Sequence, residues 1–219
     1  MLYPNHTTQL FIKYYFSVDV NCDGNQLLTL GSQGEVSLFT PELKKLNFFK
    51  PHDKATTQAA FAKSDPHLIY TSSYDGTVKL WDSRSPDKCK LEFKDQSTQS
   101  GPPSKSLKPV LCFDTTGANS LICAGTEKTG SDSYILFWDA RSSNLMGGYW
   151  ESHSDDVTCI KFNPGKRFFN VVFMRQFALF WPVLIRFFWI EMSIPLWGSE
   201  WLPFNVGKEK LFTPSKKSF

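Results

Sequence analysis

The sequence is poor in the residues that metal and redox chemistry need. It has only four histidines and five cysteines in 219 residues. Cys22, Cys89, Cys112, Cys123 and Cys159 make an odd set without a C-x-x-C pair, which argues against both a zinc site and a disulfide framework. They are expected to be reduced and mostly buried, since cysteine packs as a small hydrophobe. His6 and His67 have no cysteine or carboxylate at ligand spacing, so no metal and no other cofactor is expected. The chain also lacks a G-x-S-x-G elbow, a glycine-rich phosphate loop, an H-E-x-x-H helix and a dinucleotide fingerprint. An enzyme acting on a small-molecule substrate is therefore not expected. An excess of charge of one sign is missing too. The formal net charge is +3, with basic and acidic residues interspersed except near the C-terminus, so nothing requires nucleic acid as a partner. The N-terminus has neither a basic n-region nor an apolar h-region, and the protein is expected to be intracellular and not secreted.

What the chain does have is short-period alternation. Residues 68–84, LIYTSSYDGTVKLWDSR, hold two β patterns around Asp75-Gly76. Val78 and Leu80 alternate with Thr77, Lys79 and Trp81, as a half-buried strand requires, and residues 68–72 read as its partner. Asp-Gly between two such runs marks a hairpin, because both residue types tolerate the positive φ of a primed turn. Gly34 and Phe39 repeat the offset of Gly76 and Trp81 in a weaker copy, one repeat of about 40–45 residues earlier. Asp132 stands before Trp138 as Asp75 stands before Trp81, in a third copy. The hairpin resembles the core of a WD repeat, in which two strands of a propeller blade meet at Asp-Gly and the second ends in Trp-Asp.

Three further segments are similar to the WD repeat-containing protein 89 family: ICAGTEK at 122–128, FWDAR at 137–141 and HSDDVT at 153–158. The resemblance covers residues 15–164 and implies an all-β fold, an incomplete WD-repeat β-propeller of about three blades plus the first strand of a fourth. Residues 1–14 are then an N-terminal extension. Blades are expected over 15–42, 43–95 and 107–151, with a partial fourth at 153–164. The resemblance also implies a buried structural network of His52, Thr71, Asp75 and Trp81. Trp138 and Asp132 are the counterparts in the third unit, which has neither the histidine nor an evident hydroxyl. His153 falls where the repeat places its loop histidine. His153-Ser154-Asp155-Asp156 contains the residue types of a hydrolytic triad, but triads are assembled from separate elements, and a structural role is the stronger reading.

The repeat pattern stops at residue 164. Residues 165–219 hold half of the 20 phenylalanines and four of the seven tryptophans, with no Asp-Gly turn and no Trp-Asp closure. A non-propeller, aromatic-rich tail that adds no strands is expected. Gly165-Lys166 can be encoded by a splice-donor hexamer, and the chain reads as a truncated isoform or fragment. Two functions stay open. One is a non-catalytic scaffold for other proteins, whose loops 96–108 and 126–133 offer Lys105, Glu127, Lys128 and Asp132 as candidate contacts. The other is a membrane-tethered fragment anchored by residues 168–190. There the gain from Phe, Leu, Ile and Val is nearly cancelled by Arg175 and Arg186, and Asn170, Gln176 and Pro182 add further cost. A membrane is the lesser expectation.

Overall fold

The computed structural model describes residues 14–95, 107–130, 133–153, 155–162, 168–173, 190–193 and 211–212, with side chains described for 14–95, 107–130, 133–149 and 155–162. Every helix or strand among them is a strand. The first sheet is antiparallel and consists of β1 (Tyr15–Val20), β2 (Leu27–Gly31), β3 (Val36–Phe39) and β4 (Lys45–Phe49), in that order. The second repeats it with β5 (Thr56–Phe61), β6 (Leu68–Ser73), β7 (Thr77–Asp82) and β8 (Leu91–Lys94). Alternation locates β1, β2 and β3. It does not assign β4, which pairs with β3 and so closes the first sheet. The first unit is a complete four-stranded blade that ends at Phe49, not at residue 42, and the second starts at Thr56.

The hairpin turn also differs from the primed geometry that Asp-Gly suggests. Gly76 takes φ 85°, whereas Asp75 is not among the residues with positive φ. The Gly76 N–H closes the turn on the Ser73 carbonyl, and the Asp75 carboxylate instead accepts the Thr77 N–H. The first sheet turns the same way, with Gly34 at φ 78° bonded back to Gly31. Only the last residue of each turn needs the left-handed region, which glycine enters at no steric cost.

The third sheet comprises β9 (Val110–Thr115), β10 (Leu121–Thr126), β11 (Ser133–Asp139) and β12 (Leu145–His153). The expectation that residues beyond 164 add no strands does not hold. β13 (Val157–Phe162) pairs with β14 (Phe168–Phe173), which pairs with β15 (Ile190–Ser193), and β16 (Leu211–Phe212) extends the third sheet beyond β12. The fourth unit is thus a three-stranded sheet, not a lone strand. Pro164-Gly165, a turn dipeptide, stands in the sequence between two runs rich in β-branched and aromatic residues and is the local signal for this hairpin. The rest of the tail lies outside the described residues. That includes most of the proposed membrane anchor at 168–190, whose described ends are strands. No helix among the described residues is long and apolar enough to cross a membrane.

Consecutive sheets bury their facing sides against each other. Leu28, Leu30, Val36, Leu38 and Phe49 of the first meet Ala59, Phe61, Ile69 and Trp81 of the second. The other face of the second supplies Tyr70, Val78, Leu80 and Phe93, packed on Val110, Phe113, Ile122, Leu136 and Trp138 of the third. Cys112, Cys123, Ile135 and Phe137 then cover Val157 and Ile160 of the fourth. Burying one such large side chain is worth about 1.5–3 kcal/mol, so these three seams dominate the stability. All five cysteines are free thiols. Cys112 and Cys123 are buried, which pushes their thiols well up, whereas Cys22 is exposed.

The first strands of the four sheets adjoin one another in sequence order, so the sheets radiate from a common axis. Side chains on these strands tie each blade to the next. Asp19 accepts the Phe61 N–H at 2.8 Å, and Asp114 accepts the Phe162 N–H at 2.7 Å. Between them Gln58 both donates to the Phe113 carbonyl and accepts its N–H, so its amide stands in for a strand pairing. Lys63 of the second unit adds an ion pair to Asp114 at 2.9 Å.

Candidate functional site

The structure brings His52, Thr71, Asp75 and Trp81 together in the second blade. His52 is buried in the connection between β4 and β5, with Nδ1 2.7 Å from Asp75 Oδ2 and Nε2 2.9 Å from Thr71 Oγ1. Trp81 Nε1–H donates to Thr71 Oγ1 at 3.0 Å. The other carboxylate oxygen of Asp75 accepts both the hydroxyl and the N–H of Thr77. Burial by itself raises the Asp75 carboxyl, but the hydrogen bonds from His52 and Thr77 outweigh it and hold the group down at about 2. An ionised Asp75 assigns the proton of a neutral His52 to Nδ1. Nε2 then accepts the Thr71 O–H, whose oxygen accepts the Trp81 N–H. The chain of bonds uses both ring nitrogens, so His52 has no free nitrogen to offer a substrate. What the network does is fix the β4–β5 loop against the β6–β7 hairpin.

The remaining sites from the sequence are not assembled in this way. Trp138 sends its indole N–H to the Lys94 carbonyl of the second blade at 3.1 Å. Asp132 lies outside the described residues. His153 ends β12 opposite Ser133, and its side chain lies outside the described residues. Of the triad-like run, Asp156 accepts the backbone N–H of Lys128 at 2.7 Å. That bond and one from the Glu127 N–H to the Pro109 carbonyl pin the loop carrying these two candidate contacts to neighbouring loops. Lys105 lies outside the described residues.

The geometry reveals a surface that sequence reasoning missed. A cavity of about 680 Å³ opens where the first strands converge, lined by Phe16 of β1, Thr56 and Thr57 of β5, Leu111 of β9 and Thr158 of β13. Lys50, Asp53 and Lys54 of the β4–β5 connection and Tyr74 of the β6–β7 turn form its charged and aromatic rim. Phe16 and Tyr74 are exposed there. The volume is that of a ligand-sized pocket, and the rim mixes apolar area with both signs of charge. No local pattern marks these residues, because the converging strands that bring them together come from four separate units.

Comparison with known proteins agrees with the architecture. The family model "WD domain, G-beta repeat" matches residues 43–82, a stretch that contains β4 of the first sheet and β5, β6 and β7 of the second. The sequence repeat therefore straddles two blades, which links neighbouring sheets covalently at the His52 loop. The WD repeat-containing protein GTS1 of Arabidopsis thaliana is 29% identical over 157 residues, covering 70% of this chain and 36% of that protein. The uncharacterized WD repeat-containing protein YNL035C of Saccharomyces cerevisiae is 29% identical over 143 residues, 63% of this chain and 33% of its own. The chain thus spans about a third of the length of these relatives. Residues 43–82 are a WD40 repeat, and the described chain is an all-β array of WD-repeat propeller blades.

Proposed function

We propose that the chain is a non-catalytic protein–protein interaction module, and that the cavity at the convergence of β1, β5, β9 and β13 receives a segment of a partner protein. The cavity carries this reading. It is ligand-sized and offers Phe16 and Tyr74 for apolar contact beside Lys50, Asp53 and Lys54, the mixture of aromatic anchors and charge that protein interfaces favour. The buried His52 network supports the same reading, because its polar groups are consumed in holding the rim loop and not displayed. The motif resemblance supports placement in the WD repeat-containing protein 89 family, as an intracellular scaffold.

The test is affinity capture from cell extract with Lys54→Glu plus Tyr74→Ala beside Lys88→Glu, a change at an exposed residue that does not line the cavity. Partners recovered by the unmodified chain are expected to be lost with the double variant and kept with Lys88→Glu. Recovery of the same partners by the double variant would refute the cavity as the docking site.

A further inference from the structure

The third blade differs from the first two at its outer edge. The first strands of the sheets lie nearest the common axis, so β4, β8 and β12 lie farthest from it, and further blades around that axis leave these three edges at the rim. β4 has five residues and carries Lys45, and β8 has four and carries Glu92 and Lys94. Short, charged edges of this kind discourage another strand from pairing. β12 has nine residues, and its first six, LMGGYW, carry no charge. On its inner side Gly147, Gly148 and Tyr149 pair in unbroken register with Phe137, Leu136 and Ile135. On its outer side a strand has already been added. β16 pairs there antiparallel, with Phe212 across from Gly148 and Leu211 across from Tyr149. The first and second sheets hold four strands each, whereas the third holds five.

We infer that the outer edge of β12 is a strand-addition site for an extended segment of a partner protein that sets an aromatic residue across from Gly148, and that Leu211–Phe212 is its tethered stand-in. Main-chain hydrogen bonds along β12 supply the attraction, since any extended backbone makes them. Gly148 supplies the selectivity. A strand glycine leaves a gap in its row of the sheet, which a cross-strand aromatic residue covers, and register sets Phe212 in that row. The tethered segment is a poor occupant. β16 is only two residues long, and a ladder continued past it reaches Pro214, which has no N–H to donate. A partner segment without that proline pairs along more of β12 and displaces the tail, against the high effective concentration of a segment carried on the same chain. The site is separate from the central cavity, none of whose lining residues belongs to β12.

The probe is a fluorescent peptide with the sequence of residues 206–217 and the change Pro214→Thr. It is expected to bind the full chain and to raise hydrogen-exchange protection at 145–149, but not at 45–49 or 91–94. A full chain carrying Leu211→Pro is expected to bind it at least about tenfold more tightly, because the tethered segment no longer competes. The peptide with Phe212→Ala, or with Leu211→Pro, is expected to bind at least about tenfold more weakly. These last two changes lie in the peptide and leave the blade intact, and unchanged exchange in β6 and β7 shows that the Leu211→Pro chain is folded. Four results would overturn the inference: no binding to the Leu211→Pro chain; equal affinity for the two chains, which would mean the tail does not occupy the edge; protection at all three edges; or indifference of the peptide to Phe212→Ala.

Discussion

His52 and Asp75 show how much of one blade rests on a few side chains. Replacing either with alanine leaves buried partners unsatisfied, and a loss of about 1–3 kcal/mol is expected, read by chemical denaturation and by faster exchange in β6 and β7. The acid dependence has a definite sign. Because the Asp75 carboxyl is held at about 2 against 3.8, its contribution is complete above pH ~4 and disappears as pH falls through ~2. Asp75→Asn should therefore be less stable than the unmodified chain by about 1–2 kcal/mol at neutral pH, after allowance for partial exposure. The gap should close between pH ~4 and ~2. Asp82, whose carboxyl the Arg84 hydrogen bonds hold well below the usual range, titrates in both proteins and cancels from the difference. In the first blade Phe39 has no side-chain N–H to offer Thr29, the counterpart of Thr71. Phe39→Trp is expected to supply it and to stabilise by about 0.5–1.5 kcal/mol, measured by the same denaturation.

Two glycines set the geometry of whole elements. Gly76 ends the β6–β7 turn at φ 85°, and a Cβ there would press on Leu107 and on the Lys108 carbonyl. Gly125 in β10 has ordinary backbone, but a Cβ on it would run into Val157 of β13. Gly76→Ala combines backbone strain with a clash and should cost about 1–3 kcal/mol. Gly125→Ala should separate the third and fourth sheets, lowering exchange protection in β13 while β1 to β4 stay unchanged. Strand positions were legible at this scale because alternation is local, as β1, β2 and β3 illustrate. The turn conformation was not, because the Asp75 carboxylate is drawn to His52 and Thr77 from outside the dipeptide.

Across the whole molecule the blades are unequally supported. Among the described residues the second and third sheets are packed on both faces and the first on one, so amide exchange is expected to be fastest in β1 and β4 among the strands of the first three sheets.

The sequence by itself determined the repeat: period-2 alternation, a glycine in the hairpin turns at Gly34 and Gly76, and the residues of the His52 network at offsets that a single blade can satisfy. Tertiary structure alone decided what crosses between blades. Lys45–Phe49 joins the first sheet although its sequence reads as the start of the second unit, the Trp138 indole turns to the Lys94 carbonyl, and the cavity draws its lining from four first strands. Strand formation depends on near neighbours in the chain and leaves a local trace. Packing one sheet on another joins residues many tens of positions apart, and no short pattern records which of them will meet.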